Sequence, residues 1–144
     1  SGEFQLTEVL ETLKKEGAKF LPGKVDVWMD CGKKDPTVDT NKKILGFEEA
    51  KGNNLVADSA VLENSEIIQP CYIGENVILK NTTIGPYVSI GENSLVEDSE
   101  IRNSLIQTNV HISNASLDNA MIGNHATYNG NFTSVSIGDY TELT

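Results

Sequence analysis

From Val56 onward, aliphatic residues recur every five or six positions, each preceded two places earlier by a small or β-branched residue. The series runs Ala60/Leu62, Ser65/Ile67, Cys71/Ile73, Val77/Leu79, Thr82/Ile84, Val88/Ile90, Ser94/Val96, Ser99/Ile101 and Ser104/Ile106. It continues with Val110/Ile112, Ala115/Leu117, Ala120/Ile122 and Ala126/Tyr128, then, after an irregular stretch, Val135/Ile137 and Thr141/Leu143. Neither a helix of period 3.6 nor a long strand of period 2 gives this spacing. A period near six with one small-x-aliphatic pair per unit predicts a very short strand followed by a tight turn. Three such units close a triangular coil, so every third aliphatic stacks on its predecessor. Val56, Ile73, Ile90, Ile106, Ile122 and Ile137 form one such stack, read as one corner of the coil, with steps of 17, 17, 16, 16 and 15 residues, which predicts about five coils.

Asparagine recurs between these units, at Asn64, Asn76, Asn81, Asn93, Asn103, Asn109, Asn114, Asn119 and Asn124. Its tolerance of positive φ suits a turn, and its amide can hydrogen-bond to the same position one coil away. Gly74, Gly85, Gly91, Gly123 and Gly138 follow aliphatic or β-branched positions and are expected to serve the same conformational need. Each coil buries its inner face only against its neighbours, so the open ends are the weak points of such a rod. Residues 36 to 54 are expected to cover one of them.

The segment before Val56 has a different pattern. Residues 3 to 21 read as a helix, with Leu6, Val9, Leu10 and Leu13 on one face, Thr7 as a candidate start cap and Gly17 as a C-terminal glycine. Lys24 to Met29 alternates like a strand, Asp30 to Lys34 reads as a turn, and Pro36 to Leu45 as a second helix with proline in its first turn. Glu48 to Asn54 has the composition of a surface linker. The chain therefore divides into residues 1–45, a junction at 46–55 and a repeat region at 56–144.

Charge follows this division. Through residue 45 acidic and basic side chains balance, whereas from Gly46 onward only Lys51, Lys80 and Arg102 stand against thirteen acidic residues, which carry the whole net charge of −10. So acidic a surface repels phosphate backbones and anionic lipid, which argues against nucleic acid and membrane partners. No apolar run reaches the length of a membrane span or of a secretory h-region, so a cytoplasmic setting is the expectation. Cys31 and Cys71 have no metal-type spacing and read as reduced thiols.

The Ile-Gly-x-x-Val/Ser spacing, as in Ile73-Gly74 and Ile90-Gly91, resembles the hexapeptide-repeat proteins. That resemblance implies a mainly β fold, a left-handed parallel β-helix that commonly forms homo-oligomers, often trimers. Two functions accompany such repeats: acyl transfer from acyl-coenzyme A, and the tail of a nucleotidyltransferase. Gly2-Glu3-Phe4-Gln5-Leu6-Thr7, followed by Val27-Trp28-Met29-Asp30-Cys31-Gly32 and Thr40-Asn41, resembles the end of the catalytic domain of sugar-1-phosphate nucleotidyltransferases of the glucose-1-phosphate thymidylyltransferase type. This implies a short α/β remnant of that domain joined to the β-helix. It also implies that Glu3 holds sugar hydroxyls and that Asp30 is a Mg²⁺ ligand. Both roles suit a carboxylate: it accepts paired hydroxyls, and it is the hard oxygen donor Mg²⁺ requires. The substrates implied are a sugar-1-phosphate and a nucleoside triphosphate, with the β-helix serving oligomerisation or regulation. The family's phosphate-cradling Gly-x-Gly loop has no counterpart here. The chain is therefore expected to be a C-terminal fragment, inactive in nucleotidyl transfer by itself and needing no cofactor of its own.

Each of these residues also has a plainer reading. Asp30 suits a turn aspartate capping backbone, Glu3 a helix-start glutamate, and Trp28 a packing residue. His111 and His125 are the candidate general bases if the protein is an acyltransferase; as ordinary polar residues of a coil they need no such role. The scarcity of basic side chains in the repeat argues against binding the phosphates of coenzyme A. A purely structural, oligomerising module is a third reading. Asn131-Phe132-Thr133 matches a glycosylation pattern that has no bearing in a cytoplasmic protein.

Overall fold

A computed structural model describes residues 6–130 and 136–143. Two helices, α1 (Leu6–Lys15) and α2 (Lys34–Ala50), precede a parallel β-solenoid. Its first turn comprises β1 (Val61–Glu63), β2 (Glu66–Ile67) and β3 (Cys71–Ile73), and its second β4 (Ile78–Lys80), β5 (Thr83–Ile84) and β6 (Val88–Ile90). The third turn is β7 (Leu95–Glu97), β8 (Glu100–Arg102) and β9 (Leu105–Ile106), and the fourth β10 (His111–Ser113), β11 (Ser116–Asp118) and β12 (Met121–Ile122). Beyond these four full turns lie β13 (Thr127–Asn129), β14 (Ser136–Ile137) and β15 (Glu142–Leu143). The expected five coils are thus four complete ones and part of another.

Each strand pairs in parallel with the one three places on, or two places on for β12–β14 and β13–β15, giving three sheets ordered β1-β4-β7-β10-β13-β15, β2-β5-β8-β11 and β3-β6-β9-β12-β14. Register puts Ile73, Ile90, Ile106, Ile122 and Ile137 one above another, and Val56 joins this stack through a single bridge to Ile73. This is the stack read from the 17- and 16-residue steps, but it runs up a flat face and not along a corner. Ile73, Ile90 and Ile122 are wholly buried, as are Leu79, Val96 and Ile112 on the second face and Ile84 and Ile101 on the third.

Where the small residue of a pair is serine, it also has work that spacing alone did not suggest. Ser99 Oγ donates to Glu97 O (2.6 Å) and accepts from the Ala115 N–H of the next turn (3.1 Å); Ser104 does the same between Arg102 O and Ala120 N. Buried hydroxyls thereby stitch successive turns, each donating within its own turn and accepting a backbone N–H of the next.

Corners take left-handed backbone in three columns. One is Asn76, Asn93, Asn109, His125 and Tyr140; a second is Asn64, Asn81, Asp98 and Asn114; a third is Tyr87, Asn103 and Asn119. Eight of the nine asparagines named from sequence lie there, while at the remaining corner His125 (φ 57°) takes the position expected of Asn124. The amides ladder: Asn64 Nδ2 donates to Asn81 Oδ1 and Asn81 Nδ2 to Asp98 Oδ1, both at 3.0 Å. The glycines behave otherwise than expected. Of Gly74, Gly85, Gly91, Gly123 and Gly138 only Gly85 has positive φ. At Gly74, Gly91 and Gly123 the requirement is close approach, since a Cβ would lie 2.5–2.7 Å from the backbone of the next turn.

Helix α2 does not plug an end of the rod. It runs along one corner: Asn119 of the fourth turn bonds Asp35 (3.0 Å) and Lys34 Nζ donates to Asn119 O (3.0 Å), Lys42 Nζ sits 4.8 Å from the ring centroid of Tyr87, and Leu45 is buried near Gln69 and Pro70 of the first turn. At about 1.5 Å per helical residue and about 4.8 Å per stacked strand, ten helical residues match the three steps between those turns. Segment 54–57 covers the Ile73 side of the first turn, but Val61 and Leu62 remain 44% and 43% exposed. The helix also runs past Gly46 to Ala50, into the stretch from Glu48 that composition marked as linker; its two buried residues, Val38 and Leu45, both lie before that glycine.

Candidate functional site

Residues 21–33 form an irregular, exposed segment; the strand expected over Lys24 to Met29 is absent, and no neighbouring strand among the described residues offers it a ladder. Helix α1 is shorter than expected, with Thr7 inside it and not capping it, and Gly17 (φ 93°) ends it, its N–H and that of Ala18 donating to Lys14 O and Leu13 O. None of its residues is buried: Leu6, Val9, Leu10 and Leu13 are 39–73% exposed, and Trp28 is 82% exposed, so it packs on nothing among the described residues.

Asp30 closes this segment. Its Oδ1 accepts the Gly32 N–H at 2.8 Å, the turn-capping arrangement, and the side chain is exposed. Threonines of α2 hold the loop from below: Thr37 Oγ1 donates to Cys31 O (3.0 Å) and to Lys33 O (2.8 Å), and Thr40 Oγ1 reaches Asp30 O (3.4 Å). The loop thus presents one carboxylate just before the start of α2. Among the described residues no three His, Cys, Asp or Glu side chains converge as a metal cluster would require. Glu3 lies outside the described residues, as does Asn131.

The two histidines do not come together. His111 is on the outer face of β10, its ring nitrogen 3.1 Å from Glu97 Oε2, and Glu97 Oε1 lies 3.6 Å from Lys80 Nζ. His125 is a corner residue whose ring stacks on Tyr140, centroids 4.8 Å apart and 7° from parallel. Lys80 and Glu97 are one 17-residue step apart and stack in register, whereas His111 reaches Glu97 diagonally, across a separation of 14 that the repeat does not signal. Cys31 is exposed and Cys71 buried, and both are free thiols; burial pushes the Cys71 thiol above its usual pKa, and its Sγ lies 3.1 Å from Ile68 O.

No family model matches the chain. Among characterised proteins, the glucose-1-phosphate thymidylyltransferase of Streptomyces griseus is 26% identical over 138 residues, covering 86% of this chain and 39% of the relative. The chain is similar in sequence to glucose-1-phosphate thymidylyltransferases. A second thymidylyltransferase, from Streptomyces antibioticus, is 25% identical over 118 residues, and a low-salt glycan biosynthesis nucleotidyltransferase of Haloferax volcanii is 26% identical over 120. The chain spans about two fifths or less of the length of these thymidylyltransferases and of the archaeal enzyme. Covering 86% of the chain, the likeness to the Streptomyces griseus thymidylyltransferase extends beyond what the β-solenoid alone supplies, and so is not a likeness of repeats only. No described helix is long and apolar enough to cross a membrane.

Proposed function

We propose that this chain is the C-terminal part of a nucleotide-sugar pyrophosphorylase that joins a nucleoside triphosphate to a sugar-1-phosphate and releases pyrophosphate. The observation that carries the reading is the likeness to thymidylyltransferases across both the solenoid and the segment before it. In this reading residues 1–45 complete a catalytic domain, residues 46–55 are the junction, and residues 56–144 form the β-helix, with α2 crossing from the first part to the second. The uncovered apolar face of α1 and the exposed Phe20, Leu21 and Trp28 fit a segment whose core is completed by the rest of that domain.

The chemistry expected of the whole enzyme is attack by the sugar phosphate on the α-phosphorus of the triphosphate, with pyrophosphate leaving. Mg²⁺ would offset the phosphate charge. Asp30 fits it as one hard, exposed oxygen donor on a loop fixed by Thr37 and Thr40, and the remaining ligands would come from the other part of the enzyme and the substrate. Glu3 would accept sugar hydroxyls. The β-helix serves association of copies or regulation, in a cytoplasmic enzyme.

The test is a coupled pyrophosphate assay with glucose-1-phosphate and a panel of nucleoside triphosphates. The full-length protein is expected to release pyrophosphate and residues 1–144 to release none; a full-length protein inactive with every triphosphate would refute the reading. Thiol release from acetyl-coenzyme A by residues 1–144, abolished by His125→Ala or His111→Ala, would favour an acyltransferase instead.

A further inference from the structure

The outer surface of the sheet built on β3, β6 and β9 carries a feature that nucleotidyl transfer does not use. Tyr72 points outward from β3 with 44% of its surface exposed, and a shallow depression lies on each side of it. The lower one, about 380 Å³, is lined by Leu105 with Ser89, Glu92, Gln107 and Thr108. The upper one, about 280 Å³, is lined by Leu55 and Val56 with Asn54 and Glu75. Gly74 and Gly91 keep the shelf beneath them flat, because the turns there pack backbone to backbone.

We propose that this shelf is a binding site for a neutral saccharide, two consecutive sugar units sitting on either side of the Tyr72 ring. A sugar ring presents an apolar C–H face and a rim of hydroxyls that both donate and accept. The shelf offers the matching set: an exposed aromatic ring and aliphatic floor for the face, carboxylates to accept and amides to do both. The charge selects the ligand class. Glu75 and Glu92 flank Tyr72 within a region bearing three basic and thirteen acidic residues, so a phosphorylated sugar or a nucleotide is repelled where an uncharged glycan is not. The site is remote in the chain from Asp30, and it neither requires nor supports the pyrophosphorylase reading.

The experiment is a titration of the full chain with maltose, glucose and glucose-1-phosphate, followed by amide and tyrosine ring resonances. Maltose is expected to shift resonances on both sides of Tyr72, glucose to act more weakly, and glucose-1-phosphate to act least. Tyr72→Ala, at an exposed position whose loss should leave the thermal melt unchanged, is expected to weaken maltose binding about tenfold. Glu92→Gln is expected to keep maltose binding and to raise that of glucose-1-phosphate. The proposal is overturned if tens of millimolar maltose leave the shelf resonances unmoved, if the shifts survive Tyr72→Ala unchanged, or if glucose-1-phosphate binds there more tightly than maltose. Because pyrophosphate release is read separately, failure of either experiment leaves the other standing.

Discussion

The Ser89 hydroxyl donates to Asn41 Oδ1 at 2.6 Å, across 48 residues of chain. Ser89 stands on the outer face of β6 and is almost fully buried, although the side chains beside it in the strand point inward. Its burial comes from α2, which lies over it. One hydrogen bond thereby marks where a helix before the repeats is fastened to the second turn of the rod.

Removing that fastening should loosen α2 more than the solenoid. Ser89→Ala leaves the Asn41 oxygen without its partner and is expected to cost about 1–2 kcal/mol. Hydrogen exchange should quicken in residues 34–50 while protection of the β6 and β9 amides persists. Equal loss of protection throughout would mean that helix and rod unfold as one unit.

The position of a residue along the rod should govern the cost of changing it. Ile90→Asn puts an unpaired amide into the wholly buried stack between Ile73 and Ile106, at an expected cost of about 2–4 kcal/mol. Leu62→Ala, in the same inward register but 43% exposed, should cost less than about 1 kcal/mol. Equilibrium denaturation of both variants tests the assignment, and equal costs would contradict it.

Glycine supplies a contrast of the same kind. A methyl group at Gly91 would lie 2.7 Å from the carbonyl carbon of Gln107, whereas at Gly138 nothing among the described residues lies within 4 Å. Gly91→Ala is expected to destabilise by about 1–3 kcal/mol through overpacking and Gly138→Ala to be close to neutral. Thermal melts of the pair decide whether turn-to-turn contact or backbone conformation fixes these glycines.

Asp35 gives the attachment of α2 a dependence on pH. Its hydrogen bond from Lys34, then that from Asn119, and then the lysine's charge hold its carboxyl below the ordinary 3.8. A depressed folded-state pKa means a contribution present above the unfolded value and lost as pH falls through the folded one. Contact between the start of α2 and Asn119 should therefore hold at neutral pH and weaken only below the ordinary carboxylate range. A carboxyl-carbon titration of Asp35 would show its midpoint below 3.8, and Asp35→Asn should remove the acid-induced change in exchange at residues 34–38. A midpoint at or above that value would show that the pair does not form in solution.

Much of the rod was legible in the chain. Because each turn repeats the same inward pair, the steps between Val56, Ile73, Ile90 and Ile106 gave the register without any knowledge of the fold, and the asparagines gave the corners. Legibility failed where the cause was not periodic. The helix read over Pro36 to Leu45 spans Lys34 to Ala50, since one interior glycine costs only about 1 kcal/mol and its buried residues Val38 and Leu45 carry no mark of where it ends. Lys24 to Met29 has a strand's alternation but no strand beside it among the described residues, and alternation without a ladder leaves backbone donors to solvent. Of the candidate site, Asp30 was found as a turn carboxylate, and its support by Thr37 and Thr40 was not foreseen.

By itself, then, the sequence determined a winding β-structure, its inward positions and the acidic character of its surface, since these follow from local spacing and composition. Tertiary structure alone decided that α2 lies along a corner and leaves the first turn open. It alone paired His111 with Glu97 and placed Tyr72 between two depressions. Those relations join residues on different turns, or on helix and rod, and their separation in the chain carries no periodic signal by which they could be read.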